Sequence, residues 1–275
     1  MKFKAISALA VLLALGSAAA WHWWPRLAPA PTPPPPVVAP PAPEAEPPAP
    51  IANPMPVASD AAAAPALPTL AESDQPFRAS LLQLNGAQTA AALLVPENLI
   101  RHLVATVDNL PRHRLSVEVR PLRATAGSLK VTGDELHATL DEDNANRYQL
   151  AATLLRQIDM SAVARLYQSY YPLFQRAYED LGYPHGYFND RLVAVIDHLL
   201  ATPELAGPVQ LVRPKVFWEY ADPELEARSA GQKLLLRIGS ANAALVRAQL
   251  RALRAQIAAG TPAGAAPAAP AKAPR

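Results

Sequence analysis

The six histidines are the first residues to test for chemistry, because imidazole binds metals and transfers protons near neutral pH. They are His22, His102, His113, His137, His185 and His198. HxH, HxxxH and HExxH spacings are absent, so the sequence predicts no pair of metal ligands on one helical face. Asp197 and His198 are neighbours about 100° apart on a helix, so they cannot face each other. We expect His198 to lie at the surface or to have a satisfied structural role.

Two acidic clusters offer further candidates. Asp141 begins the sequence DEDN, which resembles the start of a calcium loop, but Ala145 and Asn146 then stand where that loop needs a ligand and a glycine. We expect a helix cap instead, with acids favoured by the helix dipole. Glu179 and Asp180 lack a second group at a defined distance, so they cannot be assigned as a glycosidase pair. GxSxG, GxGxxG and P-loop motifs are also absent. The sequence therefore predicts no catalytic residue, no metal site and no cofactor.

An aromatic series supports two different hypotheses. Five of its members follow helical spacing and three come just after: Tyr167, Tyr170, Tyr171, Phe174 and Tyr178, then Tyr183, Tyr187 and Phe188. The rings could form a platform on which a cell-wall glycan stacks, or a core stripe whose tyrosine hydroxyls reach the surface. We predict the core stripe, because no other stripe would bury this helix.

Arginines recur on one face of the last predicted helix. Arg247, Arg251 and Arg254 share this face, and Arg237 is nearby. Such a run usually forms a solvated outer face, which we predict here. An anionic partner in the cell envelope is the alternative.

Helices must carry most of these candidates. Apolar residues recur every three or four positions between caps and prolines, and they predict helices from Ser73 or Asp74 to Leu84, Ala87 to Leu94, Pro96 to Leu110, Asp143 or Asn144 to Ile158, Met160 to Asp180, Asn189 to Leu200, Asp222 to Gly239, and Ala241 to Ala259. Pro172 falls in the middle of the fifth, where we expect a kink or a break.

Short alternating segments predict a minor β component. Apolar and polar residues alternate from Leu115 to Arg120, which predicts a strand. Weaker strands are predicted at Leu129–Val131 and Leu136–Leu140, and extended segments at Val209–Leu211 and Val216–Tyr220. The predicted fold is mainly α, a compact helical domain with a small accessory β element.

Composition limits the classes of function. The chain has no cysteine, which excludes disulfides, thiolate zinc sites and lipoprotein acylation. Between residues 69 and 260, 20 basic residues balance 20 acidic ones, so the net charge of +2 comes from the two ends. A neutral domain lacks the positive surface of a nucleic-acid binder.

The N-terminus predicts a membrane segment. Lys2 and Lys4 precede an apolar run, and Trp21, Trp23 and Trp24 suit the membrane interface. The segment from residue 5 to residue 24 would make a helix of about 30 Å, enough to cross a bilayer. Since basic residues precede the run and only Arg26 follows it closely, we expect a signal anchor with a cytoplasmic N-terminus.

A cleaved secretory signal is the alternative to the anchor. Ala18-Ala19-Ala20 satisfies the small-x-small rule for cleavage after Ala20. Either hypothesis places the folded part outside the cytoplasm. We expect a single-pass protein of the bacterial inner membrane with its C-terminal domain in the periplasm.

Low-complexity segments flank the predicted domain. Residues 25–68 hold 17 of the 31 prolines and predict a disordered Pro/Ala-rich linker in polyproline II form. Fully stretched, its 44 residues would reach roughly 130 Å. Residues 261–275 predict a disordered Ala/Pro tail. The expected organisation is therefore an anchor at 1–24, a linker at 25–68, a globular domain at 69–260 and the tail.

Five stretches of this sequence carry a family resemblance and span about residues 67 to 255: LPTLAESDQPF, VDNLPRHRL, YYPLFQRAYEDLGYP, RLVAVIDHLLATP and VFWEYADPELEARSAGQKLLLRIGSANAALVRAQL. Together they resemble a bacterial family catalogued as domain of unknown function 3014. The family is similar in layout, with a tryptophan-bearing anchor, a Pro/Ala linker and this domain. The resemblance implies a membrane-anchored protein, but it implies no activity, because the family has none assigned.

The leading hypothesis is a non-enzymatic envelope protein that binds or organises a partner, either an envelope protein or peptidoglycan. An enzyme acting on cell-wall material is the alternative. Ionisable groups clustered in one deep cleft would favour the enzyme. A shallow groove or an exposed apolar patch would favour the binding module.

Overall fold

Helices dominate the part of the chain that the computed structural model describes, which is residues 50–55, 67–84, 93–134, 136–205 and 207–258. These residues belong to one compact unit that begins at Pro48. Within them the α-helices are α1 (Asp74–Leu82), α2 (Leu99–Asn109), α3 (Gln149–Gln157), α4 (Met160–Asp180), α5 (Phe188–Leu200), α6 (Pro223–Glu226), α7 (Ala230–Arg237) and α8 (Ser240–Ile257). Two 3₁₀ helices cover Leu70–Glu72 and Glu142–Tyr148.

The aromatic stripe of α4 forms the centre of the main core. Tyr167, Phe174 and Tyr178 are buried, and they pack with apolar residues of α1, α2, α5 and the end of α8. Phe174 meets Tyr167 edge to face at 5.1 Å between ring centroids, and it stacks on Phe188 at 5.9 Å. The predicted core stripe is therefore confirmed, and the glycan platform is wrong for these rings. Contrary to the expectation, the Tyr167 hydroxyl does not reach the surface, because it donates to the buried Asn189 at 3.3 Å.

A kink or a break was predicted at Pro172, and helix α4 continues through this residue without a break. Pro172 is exposed. Proline has no amide proton, so one helical hydrogen bond is lost. On the exposed side of a helix, water can pair with the carbonyl that is left free. The buried residues before and after it then hold the two halves of the helix against one core.

Helices α5 and α8 run antiparallel and pair along their length. Asn189 at the start of α5 donates to the carbonyl of Ile257 at the end of α8, 2.9 Å away. Farther along, Val195 and Leu199 of α5 share a second apolar cluster with Ala243 of α8. Helix α8 has 18 residues, so at 1.5 Å per residue its two ends lie about 27 Å apart.

A four-stranded antiparallel sheet lies near the N-terminal end of α8. Its strands, in spatial order, are β1 (Val131–Gly133), β2 (Ala138–Leu140), β3 (Gln210–Val212) and β4 (Glu219–Tyr220). Its buried side packs on α7 through a cluster formed by Ala138, Leu211, Tyr220 and Leu236. The weaker predicted strands are thus confirmed over part of their length.

The strand predicted at Leu115–Arg120 is wrong. The chain bends there, with the Arg120 amide donating to the Val117 carbonyl, and the Val117 side chain is exposed. Alternating apolar residues make a strand only where a neighbouring strand can pair with them. Instead, Leu94 and Leu122 form an isolated antiparallel bridge.

Two of the predicted helices differ from the structure in where helices begin. A cap is present at the DEDN sequence, but it is Asp141 and not Asp143 or Asn144: Asp141 accepts a hydrogen bond from the Asp143 amide and begins a 3₁₀ helix. The α-helix α3 begins only at Gln149. The helix predicted from Asp222 to Gly239 is two helices, because Ser229 caps α7 as a new start. Gly239, with φ +87°, separates α7 from α8.

Several predictions concern residues outside the described ranges. They include the anchor with Trp21, Trp23 and Trp24, most of the linker, most of the helix predicted at residues 87–94, and the tail from residue 261. Among the described residues, no helix has both the length and the hydropathy needed to cross a membrane.

Candidate functional site

The turns of the two β-hairpins lie at the same end of the sheet. Gly133 pairs with Ala138, and Ala138 pairs in turn with Leu211. Because all neighbours are antiparallel, the connection from β1 to β2, which includes Leu136, and the turn at residues 213–218 extend past the same end of the sheet. We call these two turns the hairpin tips.

The hairpin tips carry the most exposed large apolar side chains of the described residues. Phe217 is 79% exposed, Leu136 is 74% exposed and Val216 is 69% exposed. A single exposed apolar residue needs no explanation, but three on two turns at the same end of the sheet make this end a candidate contact surface. The next residue, Trp218, is half-buried and packs against the core of the sheet.

Arg213 makes contacts across the turn at residues 213–218. Its Nε donates to the Val216 carbonyl at 3.2 Å, and its guanidinium lies 5.7 Å from the centroid of the Trp218 ring. These contacts connect the two sides of the turn and hold Val216 and Phe217 outward. Lys215 is exposed beside them, so the apolar tip has a basic flank.

A second candidate is a buried carboxylate at the end of α2. Asp108 accepts from Arg112 at 2.7 Å and from Tyr183 at 3.2 Å through Oδ2, and from Arg191 at 3.0 Å through Oδ1. Arg191 also donates to the Asp108 carbonyl at 2.8 Å. A buried charge is tolerated when its lone pairs are occupied in this way. The Asp108 network therefore joins α2, the loop before α5, and α5 itself.

Helix α7 begins directly against this network. The Ala230 amide donates to the Arg112 carbonyl at 2.7 Å, and the Gly231 amide donates to the Leu110 carbonyl at 2.9 Å. A Cβ on Gly231 would meet a methyl group of Leu199 at 2.6 Å, so glycine allows this close approach. Sequence stretches far apart in the chain thus meet around α5.

His198 and Ser229 form a hydrogen bond of 2.8 Å at this junction. Burial and the nearby charges of Arg191 and Arg228 lower the pKa of His198, so the neutral imidazole can accept the hydroxyl proton. Ser229 also accepts from the Gln232 amide at 3.2 Å, as the cap of α7. His198 is half-buried and has a hydrogen-bond partner, which fits the expectation of a satisfied side chain.

The neighbouring carboxylate does not complete a catalytic triad. Both oxygens of Asp197 accept from Arg254, at 2.6 and 2.9 Å, on the side of α5 that faces α8. This arrangement matches the expectation that Asp197 and His198 point apart on the helix. It also shows that Arg254 is paired with a carboxylate across two helices.

The prediction of a solvated arginine face is wrong for Arg247, which is buried. It is 5% exposed and donates to the carbonyls of Thr202 at 3.3 Å and Pro203 at 3.2 Å. These carbonyls follow the C-terminal end of α5, where cations and donors are favourable. Arg251 is exposed as predicted.

The remaining acidic candidates are occupied in surface ion pairs. Asp180 pairs with Arg101 at 2.9 Å and with Arg176 at 3.1 Å. Glu179 lies 3.7 Å from Arg176. In the described ranges, no group of three His, Asp or Glu residues could hold a metal ion.

An open apolar depression lies beside β3. Its volume is about 260 Å³, and Leu205, Val209, Leu225 and Asp222 are among the residues that line it. The depression is shallow, and one carboxylate is its ionisable group. It resembles a contact surface more than a catalytic cleft.

The sequence did not predict a site at the hairpin tips. Val216 and Phe217 were included in an extended segment that ran on to Tyr220. Pro214 and Lys215, which are poor residues for a central strand, gave a local signal for a turn. Nothing in the sequence indicated that the turn near Leu136 would lie at the same end of the sheet.

Comparison with known proteins places the chain in a family without assigning an activity. No curated protein matches it, and no solved structure matches it. A family model described as "Protein of unknown function (DUF3014)" matches residues 99–254, which include the Asp108 network and both hairpin tips. Because this match covers more than half of the 275 residues, the chain belongs to the DUF3014 family.

Proposed function

We propose that this protein is a single-pass protein of the bacterial inner membrane whose helical domain lies in the periplasm and binds or organises a partner in the cell envelope. The observation that carries the binding role is the exposed pair Val216 and Phe217 on a supported turn. The partner is an envelope protein or peptidoglycan. No nucleic acid is involved, because the domain carries balanced charge.

The geometry favours binding over catalysis. The apolar tip is exposed, while the richest group of ionisable side chains in the described part is paired internally around Asp108. Catalytic groups need free acceptors or donors that face a substrate. The exposed side chains of Val216 and Phe217 instead offer apolar contact area to a partner, and the charge of Lys215 beside them can orient that partner.

Photo-crosslinking in intact cells tests the binding role. A photoreactive amino acid is placed at position 217 of the full chain, and in a separate variant at position 234, where Leu234 is 46% exposed on α7. We expect one discrete adduct from position 217 and none from position 234. Equal labelling from both positions would contradict a binding site at the tip.

The proposed topology has its own test. The anchor retains Met1, whereas cleavage after Ala20 leaves a mature chain that begins at Trp21. The mass of the protein extracted from membranes separates these forms. A mature chain beginning at Trp21 would replace the anchored protein by a soluble periplasmic one. A periplasm-dependent reporter enzyme fused after residue 258 should be active in both cases, and its inactivity would refute the periplasmic location.

The alternative function, an enzyme acting on cell-wall material, is favoured by one observation. The hydroxyl of Ser229 and a neutral His198 are at the 2.8 Å distance that a nucleophile and its base require. If this pair is catalytic, Ser229→Ala should abolish release of soluble products from purified peptidoglycan. If it is structural, wild type and variant should release equal amounts, and the variant should only be less stable.

A further inference from the structure

The N-terminal segment Pro50–Met55 lies against the folded domain, inside the range predicted as linker. Both oxygens of Asp190 accept backbone amides from it: Ala52 donates to Oδ2 at 2.9 Å, and Asn53 donates to Oδ1 at 2.6 Å. The Asn53 side chain donates to the same Oδ1 at 3.0 Å. One carboxylate therefore holds two consecutive residues at a bend of the chain.

A buried asparagine holds the other side of the segment. The Asn189 side chain has no exposed surface, and its Nδ2 donates to the Asn53 carbonyl and to the Ile257 carbonyl, at 2.9 Å each. Tyr167 donates to Asn189 Oδ1 at 3.3 Å. Without the segment, one of the two acceptors of this buried amide would be lost.

Met55 anchors the end of the segment. Its amide donates to the Tyr187 hydroxyl at 2.8 Å, and its side chain is buried in the main core. Pro54, between Asn53 and Met55, has no amide to satisfy, and its ring restricts the free chain. A restricted ligand loses less conformational entropy when it binds.

We propose that the start of α5 and the end of α8 form a peptide-binding site, and that its resident ligand is Ile51–Met55 of the same chain. The site recognises a bent peptide segment by two adjacent amides, an asparagine side chain and an apolar anchor two residues later. This site is distinct from the hairpin tips and does not rest on the proposed function.

Occupancy of this site changes where the N-terminal tether ends. Residues 56–66 are a connection of eleven residues between two segments attached to the domain, so the resident ligand is held at an effective concentration near the millimolar range. A free peptide of the same sequence would compete poorly. If the proposed anchor is correct, the free tether is residues 25–49, which reach about 80 Å when extended, instead of roughly 130 Å for residues 25–68.

The tether would also join the domain far from the hairpin tips. The peptide-binding site lies at the C-terminal end of α8. The other end of α8 contacts Ala145, just after β2, through Asn242. The length of α8, about 27 Å, therefore separates the attachment point from the region of the sheet.

Amide hydrogen exchange on the full chain tests the site. We expect the Ala52 and Asn53 amides to exchange at least tenfold more slowly than an unprotected chain, and Asp190→Ala to remove that protection. Asp143→Ala, the same substitution at an aspartate whose side chain is 69% exposed and lies outside both helices of the site, is the matched control and should keep it. Exchange within α5 reports whether each variant is folded. Unprotected amides in the folded wild type would overturn the proposal.

Two further measurements identify the ligand. Protection that disappears on dilution would mean that the segment comes from a second copy, which would overturn the same-chain assignment. A labelled synthetic peptide of residues 49–57 should bind the full-length Asn53→Ala variant at least tenfold more tightly than wild type, because the resident segment is weakened. A scrambled peptide is the control. Equal binding of the two peptides would overturn recognition by this site.

Discussion

Phe174→Ala tests the position of the aromatic stripe. Phe174 is 6% exposed and has ring contacts with Phe77 at 5.7 Å, Tyr167 at 5.1 Å and Phe188 at 5.9 Å. Truncation of a buried phenylalanine costs about 3–5 kcal/mol, from the lost transfer free energy and the cavity that remains. Three aromatic partners on different helices limit how far the site can collapse, so we expect the upper half of that range.

The matched control is the same substitution at the hairpin tip. Phe217 is 79% exposed, so Phe217→Ala should change the free energy of unfolding by less than about 0.5 kcal/mol. For a domain of this size, 1 kcal/mol corresponds to about 2–4 °C in Tm. Thermal unfolding of the full chain should therefore show a decrease of about 8–20 °C for Phe174→Ala and of less than about 2 °C for Phe217→Ala. Equal Tm values for the two variants would refute the assignment of Phe174 to the core.

Four further predictions concern charge, metals and reach. Burial lowers the pKa of His198 below the unfolded value of 6.5, so its contribution to stability is present above pH 6.5 and is lost as the pH falls through the lowered folded-state pKa. His198→Gln should accordingly show a smaller loss of Tm than wild type between pH 6.5 and pH 5, and an unchanged loss would contradict this. Asp108→Ala should lower the free energy of unfolding, measured by chemical denaturation, by about 3 kcal/mol. This is the low end for a buried pair, because the Arg112 side chain is 55% exposed. A value under about 1 kcal/mol would show that the network contributes little. A chelator should leave the Tm unchanged, and a decrease of several degrees would reveal a metal site. If the partner is distant from the inner membrane, shortening residues 25–49 should abolish rescue of an envelope defect while the domain stays folded, and full rescue would reject a requirement for reach.

Local sequence patterns determined most of the helices. The spacing of Tyr167, Phe174 and Tyr178 predicted both a helix and its buried face, because helical periodicity requires only residues three and four positions apart. Caps are equally local, and Asp141 acts on an amide two residues away. The stretches that carry the family resemblance were also readable from the chain alone.

Strand pairing and side-chain burial depended on tertiary structure. The segment from Leu115 to Arg120 alternates like a strand but has no neighbour to pair with, whereas the weaker signals near Val131 and Ala138 form a hairpin. Arg247 is buried because the end of another helix offers carbonyls to it. Neither outcome follows from the residues next to it in sequence.

The peptide-binding site shows most clearly what only the tertiary structure decided. Within a Pro/Ala-rich range, Asn53 looks like any linker residue, yet its partner Asp190 lies 137 positions away along the chain. The hairpin tips likewise share one end of the sheet because strands separated by some 70 residues pair. Periodicity and caps are encoded within a few residues, but the sites where this protein could bind a partner arise from contacts between distant segments.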